Sequence, residues 1–391
     1  MPFYLTDTEW VIVVLAAIYL FECFFWVHRE AICFASLLGS FRVLPSPAFM
    51  GNLRNKLVLG IPLPPGRTFV SEPWPFAISP QGIVLYESIT TASDTDLRFV
   101  SFDAIAAGLT ITDKELRTQT KPIARCSSSQ QTKSLAEMLV EVAGTGEEER
   151  GNVIGKHLDR GTDRTAAAER LTELTALSES LRWSAFMLFL MAFIMGPALY
   201  FCPWNVPVLS IALYFMMTFT IWMMTVWDYG SCRKKLLGER FSVRFRHTGM
   251  LLVSPASAMR SAEGLFRYGL SAFHPLTVAA VLCTKERLSE QARATLLALE
   301  HPLPTEIPRD PDAQRVDAWF RKKLLKRLNA LLGQLEIDTA ELLQPAEPLA
   351  DSQSYCPRCH NQFVLHEGTC ADCGGMVLVA YEMADSSPSP V

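Results

Sequence analysis

WSAFMLFLMAFIMGPALYFCPWNVPVLSIALYFMMTFTIWMMTVW (Trp183–Trp227) runs from end to end without a charged side chain. Two apolar runs lie in it, Trp183–Cys202 and Val206–Trp227, and only Pro203-Trp204-Asn205 separates them. At ~1.5 Å rise per residue, ~20 apolar residues cross a ~30 Å hydrocarbon layer, so each run has the length of a membrane span. A buried helix of a water-soluble core is the alternative, but neither run offers a polar face to solvent. The pair therefore reads as a tight transmembrane hairpin. Trp183, Trp204 and Trp227 sit at its expected ends, where indoles favour the membrane interface.

WVIVVLAAIYLFECFFWV (Trp10–Val27) qualifies as a third span, with Glu22 as its one charge. Asp7 and Glu9 precede it where a signal peptide would be basic. The cations lie downstream of it at His28, Arg29, Arg42, Arg54 and Lys56, and after the hairpin at Arg233, Lys234, Lys235, Arg240, Arg244 and Arg246. The positive-inside bias thus places the N-terminus outside and residues 28–182 and 228–391 in the cytoplasm, in the inner or plasma membrane if the source is bacterial. Glu22 is close enough to the cytoplasmic end of its span to snorkel to the interface.

The composition agrees with a membrane protein: 49% of the 391 residues are hydrophobic and 19% charged. A net charge of −4 gives no global basic field for nucleic acid. Of ten cysteines, Cys23, Cys33, Cys126, Cys202, Cys232 and Cys283 are scattered singly, and four are clustered near the C-terminus. That distribution fits a reducing compartment and a metal site rather than a disulfide framework.

Between the first span and the hairpin, residues 29–69 read as an amphipathic juxtamembrane run followed by a Pro/Gly-rich linker. Residues 70–143 then change to period two. FAIS (Phe76–Ser79), GIVLYES (Gly82–Ser88), RFVSF (Arg98–Phe102), LTITD (Leu109–Asp113), ELRTQ (Glu115–Gln119) and PIARC (Pro122–Cys126) are expected strands, with a helix over Ser127–Val142. Six short strands closed by one helix resemble bacterial membrane-tethered PH-like domains. The resemblance covers residues 70–143 and implies a cytoplasmic binding module. Residues 144–182 read as a charged linker, then a helix from Thr165. Gly151 and Gly155-Lys156 do not form a phosphate loop, because only three residues separate the glycines and His157 stands where a magnesium-binding Ser or Thr belongs.

After the hairpin, residues 228–346 are basic at first and helical in pattern. His274-Pro275 and Asp310-Pro311 have the form of helix starts. The second opens Pro311–Leu335, with Val316, Trp319/Phe320, Leu324, Leu328, Leu331 and Leu335 on one stripe and Arg321, Lys322, Lys323, Lys326 and Arg327 elsewhere. Such a helix can meet anionic lipid or a partner, or pack on its own domain. His247, His274 and His301 lack metal-ligand spacing and are expected to be structural or surface residues.

Residues 347–383 hold YCPRCHNQFVLHEGTCADCGG (Tyr355–Gly375). Cys356/Cys359 and Cys370/Cys373 are two CxxC knuckles, and each two-residue spacer lets both sulfurs face one ion. The stretch resembles a C4 zinc ribbon over residues 355–382, which implies zinc as a structural cofactor with those four cysteines as ligands. A rubredoxin-like iron site uses the same pairs. His360 and His366 are expected to be surface imidazoles, and residues 384–391 a disordered tail.

The whole is expected to be a multidomain α+β integral membrane protein with three transmembrane helices, a PH-like β domain, a helical domain and a zinc ribbon. No GxSxG, HExxH or Walker motif is present. The favoured function is a non-enzymatic membrane adaptor or accessory subunit that engages the bilayer and protein partners or a second copy of itself. One rival is a membrane enzyme assembled from scattered residues such as Glu22, Asp228, and Cys232 beside Arg233 and Lys234. Another is a membrane-tethered regulator of nucleic acid.

Overall fold

The computed structural model describes most of residues 74–381, together with residues 32–34 and 42–44. The expected first span at 10–27, Glu22 and His247 fall outside the described residues, as do residues 86–98, 202–207 and most of 238–260. In chain order the strands are β1 (Ile32–Phe34), β2 (Arg42–Leu44), β3 (Phe76–Ser79), β4 (Gly82–Leu85) and β5 (Phe99–Ser101), then β6 (Thr110–Ile111), β7 (Glu115–Arg117) and β8 (Pro122–Arg125). The helices are α1 (Phe102–Ala106), α2 (Ser129–Gly144), α3 (Glu147–Gly161), α4 (Arg164–Leu177), α5 (Glu179–Leu190), α6 (Gly196–Phe201), α7 (Val208–Leu237) and α8 (Ser261–Leu270). They continue with α9 (Pro275–Leu282), α10 (Lys285–Glu300), α11 (Pro311–Gly333) and α12 (Thr339–Leu343). The chain closes with strands β9 (Ser354–Tyr355), β10 (Gln362–Phe363), β11 (Thr369–Cys370), β12 (Met376–Val377) and β13 (Val379–Ala380).

Two compact units result, each made of two chain segments: Met1–Ser71 with Thr165–Ser271, and Glu72–Arg164 with Ala272–Val391. The first holds α7. Its 30 residues extend the expected apolar run to Leu237, and Lys234 and Lys235 in the last turn complement the negative end of the helix dipole. Among the described residues, its segment Ser210–Leu236 is the one helix long and apolar enough to cross a membrane. Phe215, Met216, Phe219, Met224 and Trp227 are all more than half exposed on it, as a soluble core helix would not leave them.

Helix α5, with the last residue of α4 before it, packs along α7. Cys232 Sγ donates to the Leu177 carbonyl (3.2 Å), Ser180 and Ser184 donate to Asp228 Oδ2 (2.7 and 3.3 Å), and Tyr214 Oη donates to the Met191 carbonyl (2.9 Å). Positions rise on one strand of contacts while they fall on the other, so the two helices run antiparallel. In the second expected span α5 ends at Leu190 and α6 begins at Gly196; Met191 and Met195 between them are π-helical, next to the Gly196-Pro197 pair, where proline removes a donor from the helical ladder. Within the stretch expected to run amphipathically along the bilayer, β1 and β2 pair antiparallel with Cys33 opposite Val43.

The second unit is organised by β3. It pairs antiparallel with β4, and β4 with β5. A Cβ on Gly82 would lie 2.5 Å from the Val100 carbonyl oxygen, so the strand approach requires glycine there. All four residues of β3 are buried, because helices α3 and α11 pack against it as well as β4. The other sheet, β6-β7-β8, is also antiparallel and has an irregularity between Leu116 and Arg117. The six strands lie where the alternation places them. Among the described residues they form two three-stranded sheets with α1 between them, capped by Ser101, which accepts from the Ala104 N–H. A single PH-like sheet is not formed by these residues.

Residues 147–161, read as a charged linker, form α3. Ile154 and Leu158 are buried on one side of it, and Glu147, Glu148 and Glu149 stabilise its N-terminal turn. Helix α11 begins at Asp310, whose carboxylate accepts from the Asp312 and Ala313 N–H groups, with Pro311 in the first turn. It buries Val316, Phe320, Leu324, Leu328 and Leu331, each contributing about 1.5–3 kcal/mol by burial. One core therefore joins Phe76, Ile78 and Ile83 from the strands, Leu139 and Ile154 from the following helices, and Phe320 and Leu328 from α11.

At one edge of that core, Trp74 packs against Gly161, where an added Cβ would fall 2.4 Å from the indole. Trp74 also stacks on His274 (ring centroids 6.2 Å) and meets Phe320 edge-on. His274 is the N-cap of α9, its Nδ1 accepting from the Leu276 N–H, and its backbone N–H donates to the Gly161 carbonyl (2.8 Å). Complete burial lowers its pKa to about 3, so the ring is neutral and structural.

Candidate metal centre

The C-terminal knuckles are built by backbone geometry. In the first, the His360 N–H donates to the Cys356 carbonyl and the Cys356 N–H to the Asn361 carbonyl, both at 2.9 Å. In the second, the Gly375 N–H donates to the Cys370 carbonyl at 3.0 Å. The residue after each second cysteine takes a left-handed conformation, His360 at φ 59° and Gly374 at φ 59°. Glycine accepts this freely, whereas histidine does so at a cost in local strain. Strand β9 carries Tyr355 beside the first knuckle and pairs with both β10 and β13.

These turns bring Cys356, Cys359, Cys370 and Cys373 together, with all four sulfurs within 4.8 Å of one another. Cys359 Sγ and Cys370 Sγ are 3.8 Å apart. A tetrahedron with metal–sulfur bonds of ~2.3 Å has an edge of ~3.8 Å, so the donor set fits a thiolate-bound ion. Four protein ligands complete that shell and leave no position for a substrate or water.

The electrostatics also call for a cation. Burial, followed by the neighbouring Cys359 and Cys356 sulfurs, holds the Cys373 thiol above its ordinary value. Burial likewise raises Cys359. Burial raises Cys356 too, but hydrogen bonds from the Cys359 and Arg358 backbone N–H groups outweigh it and leave that thiol below its ordinary value. Four thiolates so close repel one another, and a bound dication converts that repulsion into attraction.

His366 is exposed, as expected. His360 is a correction to the surface reading: it is 9% exposed, and its Nδ1 lies 2.6 Å from Arg293 Nη2 of α10. Burial, then the Arg293 charge, lowers its pKa, so the neutral ring accepts from the guanidinium. Arg358, in the spacer of the same knuckle, donates to the His301 carbonyl at 2.9 Å. Sequence reasoning missed Arg293 altogether, since nothing local marks it; Arg358 stood in plain view between the ligands.

Of the residues considered for a scattered catalytic site, Asp228, Cys232 and Arg233 are engaged in packing, whereas Lys234 is exposed. Asp228 accepts from the two serines of α5, Cys232 is buried, and Arg233 is 1% exposed against Tyr229. On α11, Arg321 bonds Asp317 (2.7 Å) and the Ala298 carbonyl, while Arg327 bonds Asp159 (2.7 Å) and the Gly155 carbonyl. Two of the five expected surface cations are thus internal struts. Lys322, Lys323 and Lys326 remain exposed, Lys323 over the Trp319 ring. Comparison with protein-family models, curated proteins and solved structures found no match to the chain.

Proposed function

We propose that the protein is a non-enzymatic, membrane-anchored adaptor, or the accessory subunit of a membrane assembly, which presents a cytoplasmic zinc-ribbon module to a protein partner. The observation that carries this reading is the closed four-cysteine shell, which gives an ion a structural role and leaves it no substrate position. When bound, zinc holds the two knuckles together. Cys356, Cys359, Cys370 and Cys373 would be its ligands, and Cys356 and Cys359 keep their backbone hydrogen bonds. Zinc is preferred to iron because a tetrahedral thiolate set suits it without any electron-transfer role.

The exposed apolar length of α7 supports the anchor, and the antiparallel α5–α7 pairing supports the hairpin within a three-span arrangement with its N-terminus outside. The charge distribution supports a cytoplasmic ribbon. The strand-rich segment 70–143 is retained as a second, PH-like binding module. To test the proposal, the full-length protein is extracted from its native membranes in mild detergent beside a Cys356→Ser, Cys359→Ser variant. The expected result is a stoichiometric protein partner, lost from a variant that still inserts in the membrane. A protein that purifies alone in both forms contradicts it.

A further inference from the structure

The ribbon and the large core are separate apolar clusters: Cys356, Cys370, Cys373 and Leu378 form one of their own. Among the described residues, the side-chain contacts that join them converge on one segment and are mostly polar. Arg293 of α10 reaches His360. Arg358 caps the carbonyl of His301, just past the C-terminal end of α10, where a cation also favours the helix dipole. Leu303 packs against the cysteine cluster. Both ribbon side chains in this joint flank Cys359, and His360 is presented only by the left-handed turn that follows it. Helix α10 is in turn anchored in the core through Leu288, Ala292 and Leu296, and its Ala298 carbonyl receives Arg321 from α11.

We propose that this joint is a metal-dependent latch: a bound ion fixes the Cys356–Asn361 turn, the turn presents Arg358 and His360 to α10, and metal occupancy is thereby transmitted to the helical body. The inference rests on the metal reading given above. An apolar interface of domain-core quality would hold whether or not the ion were present. Among the described residues the joint comprises the Arg293–His360 and Arg358–His301 hydrogen bonds and the Leu303 contact, so it depends on a closed turn. Beyond its own backbone hydrogen bonds and the Tyr355 ring, the left-handed His360 conformation relies on the sulfurs being held together. The same linkage runs in reverse. If the closed turn favours docking, docking favours the ion by the same factor. Arg293 is then a positioning residue for a metal it does not touch.

The test uses the full-length protein in detergent with three readouts: metal content, the rate of zinc transfer to a chromogenic chelator, and hydrogen–deuterium exchange. Native protein is compared with Arg293→Ala, Arg293→Lys and Arg358→Ala. Stripping the metal is expected to accelerate exchange in Lys285–Leu303 as well as in the ribbon. Arg293→Ala is expected to retain one ion per chain yet release it about tenfold faster. Arg293→Lys, which keeps a donor, should fall between them. A metal-free native protein sinks the metal reading itself. A metal-loaded protein whose Lys285–Leu303 exchange is unchanged by stripping, and whose release rate is unchanged by Arg293→Ala, overturns the latch and leaves the metal reading standing. Should Arg293→Ala fail to accumulate, Arg358→Ala decides, since its partner is a backbone carbonyl that the substitution leaves in place.

Discussion

Acidification should destabilise the second unit through His274. The ring is completely buried with a pKa of about 3, against about 6.5 in an unfolded chain. The unfolded state therefore binds the proton more tightly. The folded state's advantage is complete above about pH 6.5 and is lost progressively as pH falls toward 3. Linkage over that window gives a loss of about 2 kcal/mol at pH 5 and about 3 kcal/mol at pH 4. Protonation also blocks Nδ1, which caps α9 by accepting from the Leu276 N–H, so the same event frays the helix start. His274→Asn is the matched control, because asparagine caps well but does not titrate. Urea-dependent hydrogen exchange over α9 peptides, at pH 7.5 and pH 5, measures the effect; the difference between native and variant cancels every other titrating group. A native protein that loses no more stability than His274→Asn between those two pH values would refute the reasoning.

Three further outcomes follow from the packing. Gly161→Ala drives a methyl group into the Trp74 indole and should cost about 1–3 kcal/mol in thermal or chemical unfolding, whereas Gly146→Ala, with open space around it, should cost far less. Asp317→Ala leaves Arg321, which is only 14% exposed, with the Ala298 carbonyl but no carboxylate, and is expected to cost about 3 kcal/mol, while the outward Lys322→Ala stays within about 0.5 kcal/mol in the same assay. Phe219→Arg places a charge in the exposed apolar length of α7 and should shift the protein out of the alkali-resistant membrane fraction; Thr220→Ala should not.

The local elements were legible in the sequence because local forces make them. Alternation placed the strands, His274-Pro275 and Asp310-Pro311 placed two helix starts, and CxxC spacing placed the four sulfurs. What stayed hidden was non-local or thin in signal. Helix α3 buries Ile154, Leu158 and the small Gly161, too narrow an apolar stripe to stand out among GEEERGNVIGKHLDR. Strand β3 looked half-exposed, because the helix that covers it arrives more than two hundred residues later in the chain. Arg321 and Arg327 looked like surface charge until Asp317 and Asp159 came within reach. His360 looked like a spare imidazole because its partner Arg293 lies in a different element, with no spacing rule to link them.

The central claim, a membrane-anchored chain closed at one end by a structural ion, comes to a single determination: the metal content of the full-length protein extracted from alkali-washed membranes. The account predicts one zinc per chain, absent from the Cys356→Ser, Cys359→Ser variant prepared in the same way. Protein recovered from those membranes without metal, or with iron in place of zinc, would contradict it.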